Sequence, residues 1–392
     1  MKIAAIPSPR ETNFQSVRMD PRSEMAARLP AWLQPFLTWV TAKPAPGEEV
    51  REVPPLRFVV GGIAAMTGGC MLSAAAVLVA MPWMLAGLLL FTGLLATSSG
   101  LGLYQVVIFH HCSHGTVFRS RERNRQVGRL VSALLLFTRF EKYQHDHMLH
   151  HSANKLLTEE DEFTDFVFGV CGLEPGLEKR ELWRRIIVKL ISPAFHATFF
   201  YRRMKAAMFS GDRQHDWMAR AGFALPLAAA AATGGWAVYL LAWLLPLSIL
   251  LQVATVFRIL CEHRFPEVHL IEARGKAFVC ASTVGVFLGA MPPDASARSP
   301  RGILAWTGWW AVMLTGALFA RVFVMVGDAP CHDFHHRRPA TRKWTDYSRA
   351  RQHDQDAGSP GFPANYTENW GLIHAVDANL ATLSATPPGV VA

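Results

Sequence analysis

The stretch FVVGGIAAMTGGCMLSAAAVLVAMPWMLAGLLLFTGLLATSSGLGLYQVVIF, Phe58 to Phe109, contains 52 residues and no Asp, Glu, Lys or Arg. One bilayer crossing takes about 20 apolar residues. The run therefore holds two crossings, and Pro82 and Trp83 near its middle read as the turn of a helical hairpin. A second uncharged run, Ala221 to Phe257, covers 37 residues between Arg220 and Arg258, with Gly234 and Gly235, or Pro246, at the turn. Two weaker apolar runs follow, 277–293 and 302–320. Arg298 and Arg301 lie between them, and positive charge resists translocation, so interfacial or re-entrant segments are expected there. The expected fold is an all-α integral membrane protein. It has two transmembrane helical hairpins, giving four crossings, or six if the weaker runs also cross.

Composition agrees. Hydrophobic residues make up 51% of the 392-residue chain and charged residues 18%; mean hydropathy is +0.17. An ordinary soluble domain carries about 25% charged residues, so a disordered or solvating chain is excluded. Six cysteines in this length do not make a disulfide scaffold. Thirty-nine Lys and Arg against 30 Asp and Glu give a formal charge of +9. Much of the excess sits in Arg119–Arg129, Lys179–Arg185 and Arg202–Lys205, all between the two hairpins. These clusters share one side, expected to be cytoplasmic, as in an inner-membrane protein if the source is bacterial. No basic and aromatic face stands free of the apolar runs, which excludes nucleic acid as a partner. The start of the chain shows no apolar signal region, and Ala31–Val40 (AWLQPFLTWV) suits a membrane surface. The expected division is an N-terminal tail, 1–56, a membrane domain, 57–345, bearing a helical cytoplasmic cap, and a C-terminal cytoplasmic tail, 346–392.

Histidine placement points to the chemistry. Twelve of the 16 histidines fall in four windows: HHCSH (His110, His111, His114), HDHMLHH (His145, His147, His150, His151), CEHRFPEVH (His263, His269) and HDFHH (His332, His335, His336). Residues at i, i+3 and i+4 share one helix face. His110 and His114 are such a pair; His147, His150 and His151 are such a triplet, and so are His332, His335 and His336. With His263 they offer nine imidazoles, too many for one ion and suited to two transition metals. His111 and His145 fall off the shared faces. No CxxC pair and no HExxH motif is present, so structural zinc and zincin readings lack their signatures. An even number of crossings between windows places all four on one membrane face. Carboxylates beside the boxes, Asp146, Asp161, Glu162, Glu262 and Asp333, are candidates to orient the imidazoles. Asn154 is a candidate to polarise a metal-bound water or to cap a helix. Cys112, Cys261 and Cys331, each next to a box, read as thiolate ligands or small packing residues.

These boxes resemble those of the membrane fatty acid desaturase and hydroxylase superfamily. Its pattern is HxxxH after a transmembrane hairpin, HxxHH some way on, a second hairpin, then a C-terminal HxxHH. HHCSH, HMLHH and HDFHH stand in that order. HHSANKLLTEEDEF (His150–Phe163) resembles the family's HHxxTNxxxDxE region, and RILCEH (Arg258–His263) resembles its Arg-x-x-x-Glu-His element. The resemblance covers roughly residues 57–340. It implies a di-iron centre that uses O2 and two electrons on an unactivated C–H bond, with His263 as an additional iron ligand and Arg258 in its surroundings. The sequence departs from the pattern at His111, where many members have Asp, and in the 69-residue interval from His263 to His332. It carries no HPGG haem element and no GxGxxG motif, so a separate ferredoxin-like electron donor is expected.

The function expected is O2-dependent oxidation of a fatty acid or acyl lipid chain, foremost desaturation. Hydroxylation and oxidative decarboxylation to a terminal alkene share the same boxes. A membrane metal transporter or sensor is the reading from another class. It would place ionisable ligands inside the spans, and the two long runs contain none.

Overall fold

The computed structural model describes residues 20–296 and 298–391 and is mostly helical. The expected N-terminal tail therefore lies in part, 1–19, outside the described residues. Chain order is α1 (Pro21–Arg28), α2 (Gln34–Thr41), α3 (Leu56–Leu78), α4 (Trp83–Ser113), α5 (Arg121–Leu134), α6 (Phe140–His150), α7 (Lys179–Ile191), α8 (Pro193–Met208), α9 (Arg213–Thr233), α10 (Trp236–Glu262), β1 (Gly285–Phe287), α11 (Pro300–Phe323), α12 (His332–Arg337), α13 (Tyr347–Asp356), β2 (Glu368–Trp370) and α14 (Leu372–Ala385).

The Phe58–Phe109 run folds as the expected hairpin, α3 and α4, turning between Leu78 and Trp83. Lipid supplies no hydrophobic force between helices, so close backbone approach must. A Cβ on Gly69 would lie 2.5 Å from Thr97 N and 2.6 Å from Gly93 O. One on Gly93 would lie 2.7 Å from Gly69 O, and one on Gly100 2.8 Å from Gly62 O. Small residues at near-helical spacing thus let the two backbones touch. The outer faces remain apolar and exposed, as at Val60, Ile63, Leu88 and Phe91.

The second uncharged run also reverses at Gly234, whose φ of 68° suits glycine. Its two arms are unequal. Among the described residues four helices are long and apolar enough to cross a membrane: α3, α4, α10 and α11. Helix α9 is not among them, because Arg213, Asp216 and Arg220 occupy its first half. Helix α11 takes up the 302–320 run, so that run is long enough to span. An irregular segment returns beside it, where Ala290 O and Ala295 O accept hydrogen bonds from the indoles of Trp309 and Trp306. The 277–293 run, expected to be interfacial or re-entrant, turns inward at its middle. Val284, Val286, Phe287 and Leu288 are buried, and β1 pairs in parallel with β2.

Residues beyond 345, expected as a tail, pack on the membrane domain. Asn379 donates to the last carbonyls of α10, Leu260 O and Cys261 O. Trp183 of α7 donates to Asp377 of α14. Arg351 of α13 forms a fork with Asp333 of α12, at 2.7–3.0 Å, and also bonds Glu368 of β2 at 2.8 Å. That buried network pins the last histidine window. A Cβ on Gly285 would sit 2.9 Å from Arg351 Nη2 and 3.0 Å from Asp333 Oδ2, so only glycine leaves room for it.

Candidate metal centre

Each histidine window ends a helix that points at one place. Helix α4 widens into a π-turn over Leu103–Phe109 before His110, and such turns re-aim the residues that follow. His110 then opens the final helical turn and His114 caps it. His147 and His150 lie in the last turn of α6, and His151 is its C-cap. His332, His335 and His336 lie on α12. At His263 the chain leaves α10 for an extended conformation (φ −122°, ψ 150°) and bridges to Thr283.

All nine predicted imidazoles converge, in two groups. His110, His114, His147, His151 and His335 form one, and His150, His263, His332 and His336 the other; within each, the ligand atoms lie within 4.8 Å of one another. The i, i+4 partners stay together while the intervening i+3 residue crosses over. Helix α6 gives His147 and His151 to the first group and His150 to the second; α12 gives His332 and His336 to the second and His335 to the first.

The nitrogen separations test whether metal fits. In the first group Nε2 atoms meet at 2.7 Å (His110–His335), 3.0 Å (His335–His151), 3.1 Å (His151–His147) and 3.0 Å (His147–His114). In the second, the Nε2 atoms of His263, His332 and His336 form a triangle with sides of 3.3, 3.3 and 3.0 Å. A neutral imidazole has one N–H and one lone pair, so no proton placement gives every side of the triangle a linear hydrogen bond. One cation accepts all three lone pairs. Polyhedron edges near 3 Å are what a metal–nitrogen distance of about 2.1 Å produces. The residues present therefore fit two metal ions, and imidazole suits iron among others.

Burial keeps these ligands in the metal-binding, neutral form. It pushes His114 down to about 3, and pushes His147, His151, His263, His332, His335 and His336 well below the ordinary histidine range. His150 is the exception: burial lowers it, but Asp161, Glu162 and Glu262 together raise it above the ordinary value. Asp161 Oδ1 accepts from His150 Nδ1 at 2.8 Å, which leaves Nε2 free to bind. Glu162 Oε1 lies 3.5 Å from His147 Nδ1 and lines the cavity beside it.

The other orienting candidates are placed differently. Asp146 pairs with Lys142. Asn154 is exposed, and its backbone N–H bonds Ser152 Oγ. Asp333 holds Arg351 rather than a histidine. Arg258 and Glu262 pair with each other at 2.8 Å. Cys331 is buried, and burial raises its thiol well above the usual range, which opposes a thiolate. His145 and His269 are exposed, away from both groups. Sequence reasoning underrated His111 and missed its partner. His111 Nε2 meets Asp328 at 2.7 Å, its ring stacks on Trp344, and the pair adjoins His335. Asp328 stands four residues before His332, the spacing that marked the boxes.

A cavity of about 280 Å³ lies against both groups, lined by His110 and His147 of the first and His150, His263 and His332 of the second. Its other walls combine aromatic rings, among them Phe109, Tyr143, Phe163 and Phe199, with polar and charged groups, among them Gln105, Glu162, Arg258 and Glu262. Residues 81–291, more than half of the chain, match the family described as fatty acid desaturase. No curated protein matches the chain.

Proposed function

The chain belongs to the fatty acid desaturase family, and from that premise we propose that it is a di-iron, O2-dependent membrane oxidoreductase that desaturates the aliphatic chain of a fatty acid or acyl lipid. The observation that carries this reading is the cavity that both histidine groups face, with aromatic rings on part of its wall. Bound there, two irons would supply, from O2 and two electrons, an oxidant stronger than any side chain. The protein's own part is to hold, orient and shield. Nine imidazoles, seven buried and two partly exposed, provide the ligands, and Asp161 fixes the proton of His150 on Nδ1. Phe109, Tyr143, Phe163 and Phe199 exclude water and align an extended alkyl chain beside the imidazoles.

The electrons come from a separate ferredoxin-like donor. His114 and His151 are the partly exposed members of the first group, and the exposed Arg119, Arg121 and Arg123 follow His114 closely. These would steer an acidic partner on the cytoplasmic side of the inner membrane. Arg337 and Arg338, basic in sequence, are unsuited to that role. Arg337 is buried and bonds Ser359 and Asn365 O, and Arg338 pairs with Asp354.

Mass spectrometry of acyl chains from a host expressing the protein, beside His335→Ala and His263→Ala variants, tests the proposal. The expected result is a new double bond made only by the unaltered protein, which carries about two irons per chain. A new hydroxyl, or a chain short of its carboxyl carbon, would reassign the reaction. Unchanged lipids from an iron-loaded protein supplied with donor would overturn the enzyme reading, and iron uptake in that case would favour a transporter.

A further inference from the structure

A second cavity, of about 590 Å³, opens between α7 and α8. It shares Thr138, Phe166, Phe199 and Arg203 with the cavity at the histidines, so the two meet at a common neck. Its walls carry Lys189, Arg202 and Arg203 and no Asp or Glu. None of the three cations pairs with a carboxylate among the described residues. Arg203 is committed to the scaffold, since it donates to Leu135 O at 2.8 Å, Leu136 O at 3.1 Å and Leu247 O at 2.9 Å. Among the described residues Lys189 and Arg202 have no such carbonyl acceptors, and they line this cavity but not the one at the histidines. Between the two helices Ser192 caps α8, its Oγ accepting from Phe195 N, and it too lines the cavity.

The surface around this opening is apolar. Ile187 is 52% exposed, Ile191 72% and Tyr201 60%. Large exposed apolar groups beside unpaired cations are what a helix lying in the headgroup layer presents. Apolar walls inside and cations at the rim complement a molecule with the opposite arrangement, an alkyl chain ending in an anion.

We propose that the α7–α8 cavity is a lateral port through which a single-chain amphiphile enters from the bilayer, its terminal carboxylate or phosphate held by Lys189 and Arg202 while its chain passes Thr138, Phe166 and Phe199 toward the histidines. This deepens the function proposed above and rests on it for the direction of the chain. An anion held at these cations therefore sets how far the chain extends toward the imidazoles.

The test reads binding alone, with no O2 and no electron donor, so its failure is distinct from a failure of the oxidation. A fluorescent conjugated polyene fatty acid and its methyl ester are titrated into the purified full-length protein. Unaltered protein is expected to bind the acid about tenfold more tightly than the ester, the worth of one charge-assisted hydrogen bond. Lys189→Gln with Arg202→Gln should remove that difference and leave ester affinity unchanged, which also reports that the double variant is folded. An alkyl phosphate is expected to compete as the acid does, identifying the anion rather than the carboxyl group. Phe199→Trp, at the neck, should weaken acid and ester alike. Equal binding of acid and ester by the unaltered protein would overturn the proposal. So would displacement of the acid by phosphatidylglycerol vesicles as readily as by free acid, because the cations would then serve lipid headgroups instead of a port.

Discussion

Asp161→Asn isolates what one carboxylate contributes to the four-histidine group. Asp161 is buried and serves three donors: His150 Nδ1 at 2.8 Å and Phe163 N at 3.0 Å on Oδ1, and Leu157 N at 2.8 Å on Oδ2. An asparagine amide offers one oxygen in place of two, so one side must face a donor with its NH2. Turned toward Leu157, it strands one buried N–H, at a cost of about 1–3 kcal/mol. Turned toward His150, it drives the imidazole proton to Nε2, where the lone pair for metal is required. It also removes the carboxylate that holds His150 above its buried neighbours. Loss of such a partner typically weakens metal binding 10–100-fold, or about 1.4–2.8 kcal/mol. The assay is iron content per chain by mass spectrometry after equilibration with graded chelator. Because α6 and α12 each carry ligands of both groups, the two metals should leave together, at chelator activity about 3–10-fold lower than for the unaltered protein once the loss is shared between two coupled ions. Release of both metals at unaltered chelator levels, from a variant that melts normally, would refute the role assigned to this carboxylate.

Arg351→Ala strands Asp333, which is 1% exposed, and should destabilise the fold by about 3–5 kcal/mol; adding Asp333→Ala should recover part of that in thermal unfolding. An unshifted melting midpoint would show that the fork contributes nothing. Gly69→Leu should prevent accumulation of folded protein, because its Cβ alone would sit 2.5 Å from α4 backbone, whereas Gly68→Leu, with nothing within 4 Å, should be tolerated. Equal yields would contradict the hairpin packing. Metal-free protein should lose stability on acidification. Burial holds His114 near 3, so between there and about 6.5 the unfolded chain binds a proton that the fold refuses. Stability then falls as pH drops through that window, by up to about 1.4 kcal/mol per pH unit for each such histidine. A melting midpoint constant from about pH 7 to about pH 4.5 would contradict this.

The hairpin α3–α4 was legible because a charge-free run has few other fates, and the box faces because helical spacing is local. Reading failed where a residue's partner is distant in sequence. The 277–293 run looked suited to an interface, but β1 is covered by β2 from more than 80 residues on. Arg337, basic in sequence, donates to Pro363 O and Asn365 O and stacks on Tyr366. Asp333 lies inside a box, yet its partner is Arg351, and only the return of α13 decides that. Periodicity gives a face; it does not name what the face meets.

The crossover of the boxes carries a consequence that spacing alone does not. If each HxxHH helix served one metal, the two sites could fill independently. Here α6 and α12 each divide their three imidazoles between the groups, in opposite proportions. Rotating α6 to satisfy His147 and His151 also sets His150; placing α12 for His332 and His336 also sets His335. The backbone of either helix cannot relax around one vacant group without displacing a ligand of the other. Ordering the helices is a cost paid once, so the first ion bound bears it and the second binds to a preformed set. Titration of metal-free protein with iron should therefore show cooperative filling, with little singly loaded species at half saturation. His263→Ala, which removes a ligand supplied by α10 and none carried by α6 or α12, should weaken the second group while leaving that coupling in place. Two independent, equal binding steps would break the link between the crossover and the way the centre assembles.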